Sequence, residues 1–161
     1  MPDQAVVNAS PLIFLARAGR LEFLQLAAPE ILVPAAVATE IRQFGADDPA
    51  VQALESTPWL KMVEVPAVPP PIQAWDLGPG ESSVLAYAVA HRPMIAIIDD
   101  LSARHCAEVF RIPVSGTLGL VLTAKKRGVI PFARPALEHL RQSGMYLLDR
   151  VLNRALSFVG E

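Results

Sequence analysis

At 161 residues, with 52% hydrophobic residues and a mean hydropathy of +0.36, the chain can bury one core without outside staples, and extended disorder is excluded. The net charge of −2 argues against indiscriminate nucleic-acid binding, and the single cysteine, Cys106, excludes an internal disulfide and a thiolate-only zinc site. No apolar run reaches the roughly 18 residues of a membrane-spanning helix, and the opening residues carry no basic, cleavable leader, so the chain reads as one cytoplasmic domain over 1–161.

Residues 5–8 read as a short buried strand. Ser10 and Pro11 then suit the N-cap and first position of a helix that Gly19 ends. Leu21–Leu26 reads as a turn or two of helix, and residues 31–33 as a second strand. A helix follows from Pro34 to about Phe44, with Val37, Ile41 and Phe44 as its apolar face. Residues 45–49 break it before a short helix over 50–55, and residues 59–65 alternate as a strand would. The run 66–71, in a chain with 15 prolines, reads as an extended surface connection and not a domain boundary, because neither flank could fold alone.

Gly78, Pro79 and Gly80 launch an alanine-rich helix from Glu81 to about His91. Residues 94–98 are apolar without alternation, as in a strand covered by helices on both faces. A helix over 101–110, a short strand over 112–114 and a helix over 117–127, stopped by Gly128 and Pro131, come next. Helices over 133–143 and 147–158 complete the chain. Strands alternating with helices predict the α/β class, a parallel sheet between helical layers, with its working crevice at the carboxyl ends of the strands.

Polar groups gather at that edge. Asn8 ends the first strand, Asp99 and Asp100 end the strand over 94–98, and Glu81 heads a helix face carrying Val84, Leu85 and Ala88. Glu40 lies on the edge of an apolar helix face in the same way. Carboxylates turned toward an interior require neutralisation, and oxygen-only ligands favour Mg²⁺ or Mn²⁺ over zinc. Such ions can hold a phosphodiester and activate water against it. Each residue also has an ordinary explanation. Glu81 can complement a helix dipole, Asp100 can cap the next helix, Glu40 can pair with Arg42 or Arg17, and Ser10 can be only a cap. Lys125, Lys126 and Arg127 suit the last turn of a helix on dipole grounds, or a phosphate contact. Trp59 and Trp75 read as core or loop anchors, and His91, His105 and His139 as surface or helix-end residues. Charge is divided: residues 1–100 hold 5 Lys/Arg against 12 Asp/Glu, residues 101–161 hold 9 against 4. That division suits a carboxylate metal site beside a phosphate-holding surface.

The runs VVNASPLI (6–13), VATEI (37–41), GESSVLA (80–86), IIDDLSAR (97–104) and GTLG (116–119) resemble, in order, the motifs of the PIN-domain family, and most of all its toxin-like predicted ribonucleases. The resemblance implies a three-layer α/β/α fold with a central parallel sheet of four or five strands and a helical C-terminal tail. It further implies a Mg²⁺ or Mn²⁺ site and cleavage of single-stranded RNA. It implies a homodimer and, as partner, an antitoxin protein, as in a toxin–antitoxin pair. By position, Glu40 and Glu81 match the family's second and third acids, and Asp99 or Asp100 the acid after the fourth strand. Thr117 and Ser10 would be auxiliary, and Arg104 with Lys125, Lys126 and Arg127 would contact RNA. One departure stands out: the first acid is replaced by Asn8, a neutral oxygen ligand. It motivates a second reading, a PIN-like RNA- or protein-binding module without turnover. A receiver-like phosphorylation domain fits poorly, because its acid pair would follow the first strand.

Overall fold

The apolar run at the start of the chain becomes the middle of the molecule. In the computed structural model, which describes residues 2–65 and 67–161, β1 (Gln4–Val7) is flanked by strands on both sides, and Ala5, Val6 and Val7 have no solvent exposure. The opening residues' lack of a leader and the proline-rich connection were read partly on Met1 and Pro66, which lie outside the described residues. The sheet has five parallel strands in the order β3-β2-β1-β4-β5, with β2 at Glu30–Pro34, β3 at Leu60–Val63, β4 at Ile95–Ile97 and β5 at Val114–Ser115. Parallel neighbours need crossovers, and helices supply them. From β1 the chain passes through α1 (Ala9–Arg17) and the 3₁₀ turn Leu21–Leu26 to β2. It continues through α2 (Ala35–Arg42) and α3 (Pro49–Ser56) to β3. It then returns through α4 (Pro70–Gln73) and α5 (Pro79–Ala90) to β4 on the other side of β1. The strand order therefore reverses between β1 and β4, where an open α/β sheet places its crevice. Helices α6 (Leu101–Val109) and α7 (Thr117–Lys126) flank β5, and α8 (Arg134–Gln142) and α9 (Asp149–Phe158) form the helical tail. Leu137, Leu140, Leu152 and Leu156 join the tail to the one core that also holds β1. The three-layer α/β/α expectation stands. No helix among the described residues is long and apolar enough to cross a membrane.

Local expectations failed where hydrogen bonding overrode pattern. The N-cap of α1 is Asn8, with extended backbone, and not Ser10, which already sits inside the helix. Pro11 falls at the third helical position, where a missing N–H still costs nothing to the helix ladder. The last strand starts at Val114 instead of residue 112, because the Ile112 N–H is taken by the Ala107 carbonyl (2.8 Å) as α6 unwinds. Part of the proline-rich connection is helical: α4 has proline at its start and a fully buried Ile72 as its anchor. Phe44 lies beyond α2 and is 53% exposed, with the Arg17 guanidinium 4.8 Å from its ring centre, so it is no part of the buried face.

Candidate active site

Asn8 follows β1 directly, and its N–H donates to the Ile97 carbonyl of β4 (3.0 Å), which places it at the switch point. An asparagine at an N-cap normally accepts a hydrogen bond from the first helical turn. Here the side chain makes no such bond. It is 3% exposed, and its Oδ1 has no hydrogen-bond partner. That oxygen is aimed at Gly80: a Cβ added there would stand 3.0 Å from Asn8 Oδ1 and 3.1 Å from Glu40 Oε2. Any side chain here would press on both oxygens, so Gly80 forms the floor under two oxygens from different elements.

Glu81 is the next residue of α5, in its first turn, with its carboxylate folded back over Gly78. It complements the helix start, as the ordinary reading had it, but it also bears on Glu40. Partial burial, and then the negative charge of Glu81, push the Glu40 carboxyl above the ordinary carboxylate range. The cations offered by the salt-bridge reading are engaged elsewhere. Arg17 pairs with Asp48 at 2.8 Å and Arg42 with Glu55 at 3.8 Å. Among the described residues no ion pair reaches Glu40 or Glu81.

A second glycine cradle lies beside it at the end of β4. Asp99 reaches across to the start of α7. Its Oδ1 accepts from the Thr117 N–H (2.7 Å) and its Oδ2 from the Thr117 hydroxyl (2.6 Å), with Thr117 fully buried. A Cβ on Gly116 would be 3.1 Å from Asp99 Oδ1 and 2.5 Å from Arg104 Nη1, so this glycine admits both side chains. Arg104 is half-buried and is tied down by donation from Nη1 to the Ile98 carbonyl (3.1 Å). Asp100 points the other way: it caps α6, with Oδ2 accepting from the Ala103 N–H at 2.9 Å. Of the adjacent pair, Asp99 is the acid directed across the edge.

The donor chemistry fits a hard divalent cation. An orphaned buried amide oxygen stands with two acids that lack a countercharge, and every donor is oxygen. Among the described residues no three of His, Cys, Asp and Glu form a metal-holding group by themselves. Asn8 is therefore what extends the Glu40 and Glu81 pair to three oxygen-bearing side chains. Ser10 sits half-buried in the first turn of α1. The structure does not bring Lys125, Lys126 and Arg127 to this edge. They lie at the end of α7, eight to ten residues and so about 12–15 Å from Thr117. Lys125 donates to the Pro131 carbonyl (2.6 Å) and Arg127 to the Leu26 carbonyl (3.2 Å), which are structural contacts. Sequence reasoning missed Gly80 and Gly116 as cradles. Gly80 reads as part of a helix launch and of the motif over 80–86, and Gly116 as the start of the motif over 116–119, neither as a close approach.

The chain is thus an α/β protein with a parallel sheet between helical layers and acids at its switch point. The comparison with known families agrees: a PIN-domain family model matches residues 4–161, nearly the whole chain, and the chain belongs to the PIN-domain family. PIN domains are generally nucleases and typically use divalent metal ions. No curated protein matches the chain.

Proposed function

We propose that this PIN domain is a Mg²⁺- or Mn²⁺-dependent endoribonuclease that cuts single-stranded RNA, and that it acts as the toxin of a toxin–antitoxin pair. The observation that carries the metal-dependent reading is the Asn8 Oδ1: buried, without a hydrogen-bond partner, and converging with Glu40 on Gly80. A buried carbonyl oxygen left unpaired costs about 1–3 kcal/mol, which a cation would offset. Glu40, Glu81 and Asn8 would hold the ion, with Asp99 facing the scissile phosphate region from β4. When bound, the cation supplies charge stabilisation for the phosphodiester and an acidified water. The chain's own residues do the rest. Thr117 holds Asp99 in one rotamer through two hydrogen bonds. Gly80 and Gly116 keep the floor low enough for a phosphate to approach. Arg104 offers a fixed guanidinium beside Asp99. Partners in this proposal are single-stranded RNA, a second copy of the chain and a small antitoxin protein.

The test is a cleavage time course on labelled single-stranded RNA with Mn²⁺, with Mg²⁺ and with a chelator. Metal-dependent cutting is expected, lost by on the order of 10²-fold or more in Asp99→Ala and Glu81→Ala. Asp100→Asn, which preserves a capping oxygen, is expected to retain most of it. Cutting that survives Asp99→Ala and Glu81→Ala together would overturn the assignment. A folded protein that cuts with neither Mn²⁺ nor Mg²⁺ would favour the binding-module reading, with Asn8 as its reason. Asn8→Asp turning on cleavage would then be the confirming result.

A further inference from the structure

Beside Asp99 opens a groove of about 660 Å³, between α6, the start of α7 and the connection from α8 to α9. Its volume falls in the range of small-ligand sites. Leu118, Leu122 and Val151 give it an apolar wall, Arg104 a cation, and Tyr146 its aromatic rim. We propose, resting on the endoribonuclease reading, that this groove is a nucleotide subsite in which Tyr146 stacks a base of the RNA strand and Arg104 holds a neighbouring phosphate.

Three observations carry it. Tyr146 is 84% exposed, yet its backbone is not loose: Met145 and Leu147 on either side pack against the core, and the Met145 N–H donates to the Leu140 carbonyl at 3.0 Å. An aromatic ring presented to water by an anchored loop is the arrangement that sequence-tolerant base stacking uses. Arg104 is fixed by its bond to the Ile98 carbonyl and forms no ion pair among the described residues, so donors remain for a phosphate. Finally, the charged side chains that line the groove are Asp99 and Arg104, and the rest of the lining is apolar or neutral. A single guanidinium beside the acid places a phosphate-holding cation next to the carboxylate end of the groove. The groove thus continues the candidate site and takes its walls from the helical tail.

The test is binding of a fluorescein-labelled oligoadenylate of about ten nucleotides, in chelator, so that no cutting occurs. Tyr146→Ala is expected to weaken binding about tenfold, with Tyr146→Phe restoring it to within about twofold. An abasic strand of equal length should not sense Tyr146→Ala. Arg104→Gln should reduce the slope of log affinity against log salt by about 0.7. Equal binding by the wild type and Tyr146→Ala would overturn the subsite, as would an equal loss on the abasic strand. Conversion of a dimer to a monomer by Tyr146→Ala in sedimentation would also overturn it, making the groove an interface between copies. Failure of the nuclease reading looks different: wild-type protein would then cut nothing with either metal, while the Tyr146 effect on binding persisted.

Discussion

At Gly116 the acid is satisfied by its own chain; at Gly80 the oxygens are not. Asp99 receives two hydrogen bonds from buried Thr117 and has a guanidinium beside it. Asn8 has nothing at its Oδ1, and Glu40 meets partial burial and the like charge of Glu81. Both regions sit at the carboxyl ends of adjacent strands and both use a glycine to bring side chains together. The contrast separates preorganisation from demand. The β4 side is locked before any ligand arrives, whereas the β1 side is electrostatically incomplete.

The largest break in that contrast comes from Asn8→Asp. A third carboxylate in a site 3% exposed, close to Glu40, is expected to destabilise the metal-free protein by about 3 kcal/mol. In chelator this reads as a Tm fall of about 6–12 °C. Mn²⁺ should recover most of it, because the added charge also raises metal affinity. An unchanged Tm in chelator would mean the amide position is not the low-dielectric pocket described above.

Thr117→Val tests the other side. It removes the hydroxyl donor to Asp99 while keeping shape and the backbone N–H bond. The expected loss is about 1.5–3 kcal/mol, or about 3–12 °C in Tm, with cleavage down about 10- to 100-fold. Unlike Asn8→Asp, none of this loss should respond to metal. A metal-dependent recovery would merge the two regions into one.

How far the sequence reached follows the same physics. Apolar runs without alternation located β1, β2 and β4, because strands buried on both faces have little choice of residue. Ile112 misled, since a buried residue at the end of a helix has the same character as a strand residue, and only its hydrogen bond to Ala107 separates them. Glu40, Glu81 and the Asp99–Asp100 pair were legible as acids at one edge. Their division of labour was not. Asp99 and Asp100 are neighbours in an identical run, and only the positions of α6 and α7 send one to a cap and the other to Thr117. Spacing also gave no sign of Gly80 and Gly116 as cradles, because the atoms they admit come from residues far away in the chain. The basic cluster at residues 125–127 looked available for phosphate until the carbonyls of Pro131 and Leu26 accounted for two of its members.

A subtler change sharpens the Gly80 side. Gly80→Ala would press a methyl group to 3.0 Å from Asn8 Oδ1 and 3.1 Å from Glu40 Oε2, so both must yield by a few tenths of an ångström. Alanine also favours the helix by up to about 1 kcal/mol. The two effects oppose each other, and Tm should stay within about 2 °C of wild type. Cleavage should nevertheless fall about tenfold, because displaced ligand oxygens cost more in activity than in folding. Full activity in this variant would remove Gly80 from the site.

The smallest expected effect comes from a carboxylate at the opposite extreme from Glu40. Burial acts to raise the Glu161 carboxyl, but hydrogen bonds from the Ala133 and Arg134 N–H groups, then the charges of Lys125 and Arg134, outweigh it and leave it below the ordinary range. A depressed folded-state pKa contributes stability that is present above the unfolded value of 4.5 and lost as pH falls through the folded one. Glu161→Gln should therefore lower Tm near neutral pH, by at most about 2 °C once solvent screening is allowed for. The difference between the variant and wild type should close as the pH is taken below the ordinary carboxylate range. Cleavage should be unaffected, since Glu161 braces α8 against the far end of α7. A gap that widened on acidification would reverse the sign of this argument, and would mean that the carboxyl is held in its protonated form, as an unpaired buried acid is.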